Sequence, residues 1–115
     1  MPLPDYEIHG PPHAPLTIVL GGISATAHVC ATPSDPAPGW WEAQVGPGRA
    51  IDTRTTRVLS VAALDGGARA DGRPARLVST ADQADAIAAL LDHLGVARAS
   101  AIVGASYGGM IALAF

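Results

Sequence analysis

The sequence predicts an α/β fold, a mostly parallel sheet with flanking helices, and three observations carry that prediction. Three short apolar runs lie at residues 16 to 20 (Leu-Thr-Ile-Val-Leu), 57 to 63 (Arg-Val-Leu-Ser-Val-Ala-Ala) and 99 to 103 (Ala-Ser-Ala-Ile-Val). Such runs suit strands buried on both faces of a parallel sheet. A helical pattern separates the second from the third, and another follows the third. The order strand, loop, strand, helix, strand, helix is that of parallel strands joined by crossovers.

Each element has its own local signature. Residues 5 to 9, Asp-Tyr-Glu-Ile-His, alternate polar and apolar before Gly10-Pro11-Pro12, as in a half-buried strand closed by a turn. Residues 16 to 20 end at Gly21-Gly22. From Ser24 to Asp52 the chain carries Pro33, Pro36, Pro38 and Pro47 without sustained periodicity, which predicts a long excursion, with a short helix over residues 39 to 45 as a candidate inside it. A second buried strand at 57 to 63 leads into a polar, glycine-containing loop that runs to Arg76. Thr80 and Gln83 form a T-x-x-Q capping box with Asp82 and Asp85 in the first turns, predicting a helix start at this point. Ala84, Ile87, Leu90, Leu91 and Leu94 share one face, and Gly95 supplies the stop. A third strand follows, then a tight turn from Gly104 to Gly109, then helix from Met110.

Composition narrows the chemistry. Seven Lys+Arg against ten Asp+Glu give a formal net charge of -3, no footprint for a polyanion. All seven cations are Arg, and the absence of Lys removes Schiff-base, Walker-loop and lysine-base chemistry together. The single cysteine, Cys30, excludes an internal disulfide and a CxxC zinc pair. No apolar run approaches the ~20 residues needed to cross a bilayer, and the N-terminus has no secretory pattern. A cytoplasmic protein that engages neither membrane nor nucleic acid, and holds no metal, is expected.

The informative segment is Gly104-Ala105-Ser106-Tyr107-Gly108-Gly109, a G-x-S-x-G between a predicted strand and a predicted helix. In a nucleophile elbow the serine takes a strained conformation, and glycines on both sides allow strand and helix to approach. Ser106 is therefore the candidate nucleophile, and Gly104 and Gly108 are the elbow glycines. The Tyr107 N–H, at the start of the helix, is the candidate oxyanion donor. A second donor in such folds comes from a loop after an earlier strand, here residues 21 to 25, with the Ile23 N–H as the candidate.

The base and acid of such a site follow the serine in chain order, and nothing after Ser106 is acidic or a histidine. His93 falls in the last turn of a helix, where a cation suits the dipole. His9 and His13 flank the Gly-Pro-Pro turn, and His28 as a base would break the chain order. Cys30 lacks elbow context and reads as a small buried apolar residue. Trp40 and Trp41 are candidates either to line an acyl pocket or to pack the excursion over the sheet. Arg49 is a candidate contact for an anionic acyl group or coenzyme, or else a solvated cation.

Taken together, residues 20 to 29 (Leu-Gly-Gly-Ile-Ser-Ala-Thr-Ala-His-Val), 39 to 42 (Gly-Trp-Trp-Glu), 45 to 53 (Val-Gly-Pro-Gly-Arg-Ala-Ile-Asp-Thr) and 103 to 110 (Val-Gly-Ala-Ser-Tyr-Gly-Gly-Met) resemble the homoserine O-acyltransferase family of the α/β-hydrolase superfamily. The resemblance implies an α/β-hydrolase fold and ping-pong transfer of an acyl group from acyl-CoA to the serine matching Ser106, then to the γ-hydroxyl of homoserine. This is an early step of methionine biosynthesis. It implies no permanently bound cofactor; acyl-CoA is a co-substrate, and a homodimer is a candidate assembly of the full-length protein. The family's triad Asp and His and its lid lie in its C-terminal part. Residues 1 to 115 are thus expected to be the N-terminal part of one domain, ending in mid-helix just after the elbow. Gly-Gly-Ile-Ser, where many members have His-Ala-Leu-Ser, and Tyr107 after the serine resemble a succinyl-transferring branch and leave the donor open between succinyl-CoA and acetyl-CoA. A serine esterase or thioesterase, and a truncated non-catalytic remnant, are the competing readings.

Overall fold

The computed structural model describes residues 3–65 and 78–115; residues 66 to 77, where most of the polar loop after the second buried strand was expected, lie outside the described residues. The elements are β1 (Tyr6–His9), β2 (Leu16–Leu20), β3 (Val45–Gly46), β4 (Ile51–Asp52), β5 (Arg57–Val61), α1 (Thr80–Leu94), β6 (Ala101–Gly104) and α2 (Tyr107–Ala114). The main sheet has the order β1-β5-β2-β6. β2 pairs in parallel with β5 and β6, and β1 is an antiparallel edge on β5. The expected mostly parallel sheet with flanking helices is the one observed.

Two cores, one on each face of the sheet, explain why the buried strands do not alternate. Leu16, Ile18 and Leu20 of β2 join Leu59 and Val61 of β5 against Ile87, Leu90 and Leu91 of α1 and Ile111 of α2. Val19 and Val58 point the other way and pack with Val29, Cys30 and Val45 of the excursion, flanked by Trp40, Trp41 and Ile51. The proline-rich excursion is thus the cover of the second face. Burial on that face stabilises each large apolar side chain by about 1.5–3 kcal/mol, which replaces what a helix would otherwise supply there.

Local boundaries differ from the sequence expectation in four places. The N-cap of α1 is Ser79, whose hydroxyl accepts from the Asp82 N–H at 3.1 Å while Asp82 Oδ2 accepts from the Ser79 N–H at 3.0 Å. The expected box partner Gln83 is instead buried, exchanging two 2.8 Å hydrogen bonds with the backbone N–H and C=O of Leu64. The short helix considered at 39 to 45 is a run of turns, with only the Gln44 and Val45 N–H groups bonded back to the Trp41 carbonyl. A short parallel pair, β3 with β4, follows it. The third buried strand starts at Ala101 rather than Ala99, where the β2 register begins with Thr17 opposite Ala101; just before it the Ser100 N–H donates to the Leu16 carbonyl at 2.8 Å. Helix α2 starts at Tyr107 rather than Met110, so the bend before it is tighter than expected. The predicted stop of α1 is observed: Gly95 has φ 72° and donates to Leu91 and Asp92.

Among the described residues the outer edge of β6 is unpaired, and Met110, Leu113 and Phe115 of the adjoining helix segment are exposed. Expressed alone, these 115 residues are expected to self-associate through that apolar edge; a monomer in sedimentation that also melts cooperatively would contradict this. In the full-length protein, Ser79→Ala should lower stability by about 1 kcal/mol as a lost cap. Thr80→Ala should stay within about 0.5 kcal/mol, as a substitution away from any such feature. Chemical denaturation of the two variants checks the assignment of the cap.

Candidate active site

β6 ends at Gly104 and α2 begins at Tyr107, so only Ala105 and Ser106 turn the chain from strand to helix. Ser106 adopts φ 56° and ψ -121°, the one positive φ at a non-glycine residue among those described. Such a conformation costs about 1–3 kcal/mol and persists only where its surroundings enforce it. Here the Ala105 N–H donates to the Leu20 carbonyl at 2.9 Å, the Gly108 N–H to Ala105 at 3.0 Å and the Gly109 N–H to Ser106 at 2.9 Å. Backbone closeness adds a second constraint. A Cβ on Gly104 would collide with the Gly108 carbonyl, and one on Gly108 with the carbonyls of Leu20 and Gly21. Ser106 is exposed and its hydroxyl makes no capping bond to α2, so it faces solvent from a sharp bend at the sheet edge.

The two backbone donors expected from sequence start from one edge. Leu20 and Gly104 are register partners on adjacent parallel strands, so the turn at 21 to 25 and the bend at Ser106 leave the sheet together. Tyr107 is the first residue of α2, where an N–H has no acceptor within the helix and the helix dipole is positive. Ile23 sits in a turn closed by the Ala25 N–H on the Gly22 carbonyl at 3.0 Å, with its side chain 73% exposed.

Of the other sequence candidates, Trp40 lies against the Gly21 turn, and the histidines, Cys30 and Arg49 have surroundings of their own. His28 Nδ1 is 3.0 and 3.1 Å from the two carboxylate oxygens of Glu7, and Nε2 is 2.6 Å from the Ala37 carbonyl. The Ala37 carbonyl, and then Glu7, raise its pKa above the ordinary 6.5. A ring donating from both nitrogens is a cation, without a free lone pair to take a serine proton. His9 also reaches Glu7, at 3.1 Å, while His13 and His93 are exposed. Glu7, His28 and Asp35 bring donor atoms within 4.8 Å of one another, a spacing that a metal ion could share. Their hydrogen bonding is that of an ion pair joining β1 to the excursion. Cys30 is fully buried and burial pushes its thiol pKa up, as for an inert packing residue. Arg49 is exposed on the turn between β3 and β4. Trp40 stacks on Trp41 at 5.3 Å with its Nε1 buried, so it packs the excursion onto the sheet rather than offering a polar group to solvent.

The chain is 48% identical over 110 residues to a homoserine O-succinyltransferase of Xanthomonas campestris, covering 96% of this chain and 29% of the relative. It is 46% identical over 110 residues to an L-serine/homoserine O-acetyltransferase of Streptomyces lavendulae, covering 84% of this chain and 29% of the relative. No family model matches it. Among solved structures, homoserine O-acetyltransferase from Bacillus anthracis superposes with a TM-score of 0.76 at 26% identity, over 95% of this chain and 36% of that one. An esterase superposes with a TM-score of 0.77 at 28% identity, over 94% of this chain and 36% of the esterase. The chain is a homologue of homoserine and serine O-acyltransferases, and its sheet and helices are those of an N-terminal portion of the α/β-hydrolase fold. It spans about 30% of the length of those curated acyltransferases.

Three acidic residues of this acyltransferase homologue escaped the sequence reading. Glu7 clasps His28 across 21 residues. One oxygen of Glu42 accepts from the N–H groups of Ala31 at 2.7 Å and Gly39 at 2.8 Å, and those bonds lower its pKa. Asp52 accepts from Arg54, both side chain and N–H, and from the Gly48 N–H, which hold its carboxyl far below the usual range. Of these only Asp52 had a local signal, an Asp two residues before the N–H it binds, after a Gly-Pro-Gly turn. Because the His28 pKa is higher folded than unfolded, its contribution is complete below about pH 6.5 and is lost as pH rises through the folded value. Melting temperatures of wild-type and His28→Ala full-length protein should therefore differ most at pH 6 and converge toward pH 9; a gap that widens with pH would contradict the His28–Glu7 assignment.

Proposed function

We propose that, in the full-length protein, Ser106 is the nucleophile of an acyltransferase that moves a succinyl or acetyl group from acyl-CoA to the hydroxyl of homoserine. The observation that carries this reading is the strained φ of 56° at Ser106, between β6 and the N-terminus of α2. Ser106 Oγ attacks the thioester carbonyl, the C–S bond breaks, and coenzyme A leaves as a thiol after taking the proton removed from Oγ. The acceptor hydroxyl then attacks the acyl-serine, its proton leaves through the same base, and Oγ regains a proton. The base is a His oriented by an Asp, both downstream of this chain.

The Tyr107 and Ile23 N–H groups stabilise the two tetrahedral oxyanions; one such donor is worth about 10²–10³ in kcat. The reaction needs no permanently bound cofactor. The enzyme works in the cytoplasm, where an acyl-CoA pool supplies its donor, on an early step of methionine biosynthesis; the presence of both serine and homoserine in the names of its relatives makes serine the competing acceptor.

A serine esterase with water as acceptor is the second reading, favoured by the structural likeness to an esterase. Incubating the full-length protein with acyl-CoA, with and without homoserine, separates the two. An acyltransferase gives O-acylhomoserine faster than free acid. In Ser106→Ala both the acyl-enzyme, read by mass spectrometry, and product formation should vanish; substantial residual turnover would refute the nucleophile.

A further inference from the structure

The turn that carries the proposed Ile23 donor is held from within by Ala25 alone, through its methyl against Gly21 and its N–H on Gly22. Gly21 and Gly22 have no side chains and the Ile23 side chain is largely exposed. From the α2 side it meets Gly108, and from the excursion it rests on Trp40. A Cβ on Gly21 would stand 2.6 Å from the Ala25 Cβ on the turn's own side and 2.8 and 2.9 Å from Cζ2 and Cη2 of that indole, so the six-membered ring edge lies against the Gly21 backbone beside the Ala25 methyl.

Trp40 is in turn held through its backbone rather than by its own polar atom, because Nε1 is buried without a partner. The Trp40 N–H donates to the His28 carbonyl at 3.1 Å and the Trp41 N–H to the Val29 carbonyl at 3.0 Å, a two-rung ladder between the outgoing and returning arms of the excursion. The carboxylate of Glu42 closes that ladder by binding Ala31 on one arm and Gly39 on the other. The outgoing arm is anchored to the sheet by Val29 and Cys30, both essentially without exposure.

We infer that Glu42 is a positioning residue for the oxyanion hole, fixing Trp40 against Gly21 and so the Ile23 N–H above the edge where Ser106 stands; this deepens, and rests on, the acyltransferase reading. The effect runs through backbone placement, so it acts on the charged transition state more than on substrate binding. Bonds from two N–H groups keep the carboxylate ionised, which suits a clasp that works across the neutral range.

The test uses the full-length protein and three substitutions: Glu42→Ala, Glu42→Gln and Trp40→Phe. Glu42→Ala should lower kcat about tenfold or more, since small misplacement of a reacting group costs up to about 10²-fold, with KM for acyl-CoA and acceptor nearly unchanged. Glu42→Gln, which keeps an accepting oxygen, should recover most of that loss. Trp40→Phe shortens the ring edge under Gly21 and should reproduce the kcat defect, serving as the decisive variant if Glu42→Ala does not fold. An unchanged kcat in the folded Ala or Phe variant, or a defect confined to KM or melting temperature, would overturn the inference. If wild-type protein forms an acyl-enzyme while the variants show this indifference, the positioning role alone is rejected. Wild-type protein that forms none rejects the acyltransferase reading and the positioning role with it.

Discussion

Everything at the candidate site depends on how closely three backbones approach one another where β2, β6 and α2 meet. With Gly108 against the carbonyls of Leu20 and Gly21, and Gly104 against Gly108, no side chain separates the helix start from either strand. That contact, together with the β2–β6 register that sets Leu20 beside Gly104, decides where the serine stands and where both proposed donors begin. A methyl group at either glycine would push α2 outward, and the site would lose its geometry before it lost its residues.

The excursion from Ser24 to Asp52 serves this arrangement from the opposite face of the sheet. It supplies Val29, Cys30, Val45 and the two stacked indoles as a core layer, and it is pinned by polar clasps at its start and middle rather than by regular structure. Glu7 takes His28, and Glu42 takes Ala31 and Gly39. A segment with this many prolines cannot donate a full ladder, so side-chain carboxylates take over the role of backbone acceptors. Packing and polar clasps thus reach the site where Trp40 meets Gly21, beside the Ala25 methyl.

What was legible in the sequence is what local pattern dictates. Residues 16 to 20 are apolar on both faces because both faces are covered, and the elbow was visible because its glycines are required by steric contact at fixed spacing. Two capping signatures overlap at Ser79-x-x-Asp82 and Thr80-x-x-Gln83, and the choice between them was made by a tertiary event: Gln83 is drawn to Leu64, 19 residues earlier. The clasps at Glu7 and Glu42 span 21 and 11 residues. Nothing in a linear pattern marks such partners, since an isolated Glu reads as a solvated charge until the fold brings amides or an imidazole to it.

The strain at Ser106 ties stability to the site. Holding a serine at φ 56° costs about 1–3 kcal/mol, which the bend's own three hydrogen bonds, each worth about 0.5–1.5 kcal/mol net, offset only if the elements on both sides stay in place. One of the three anchors on Leu20, a residue of the helix-side core, and Ile111 of α2 is buried in that same core. Loosening α2 or β2 would therefore relax the serine into an ordinary conformation and withdraw its hydroxyl from the bend. Substitutions in the core around Leu20 and Ile111 act on the nucleophile through its backbone, although they touch neither its hydroxyl nor any substrate.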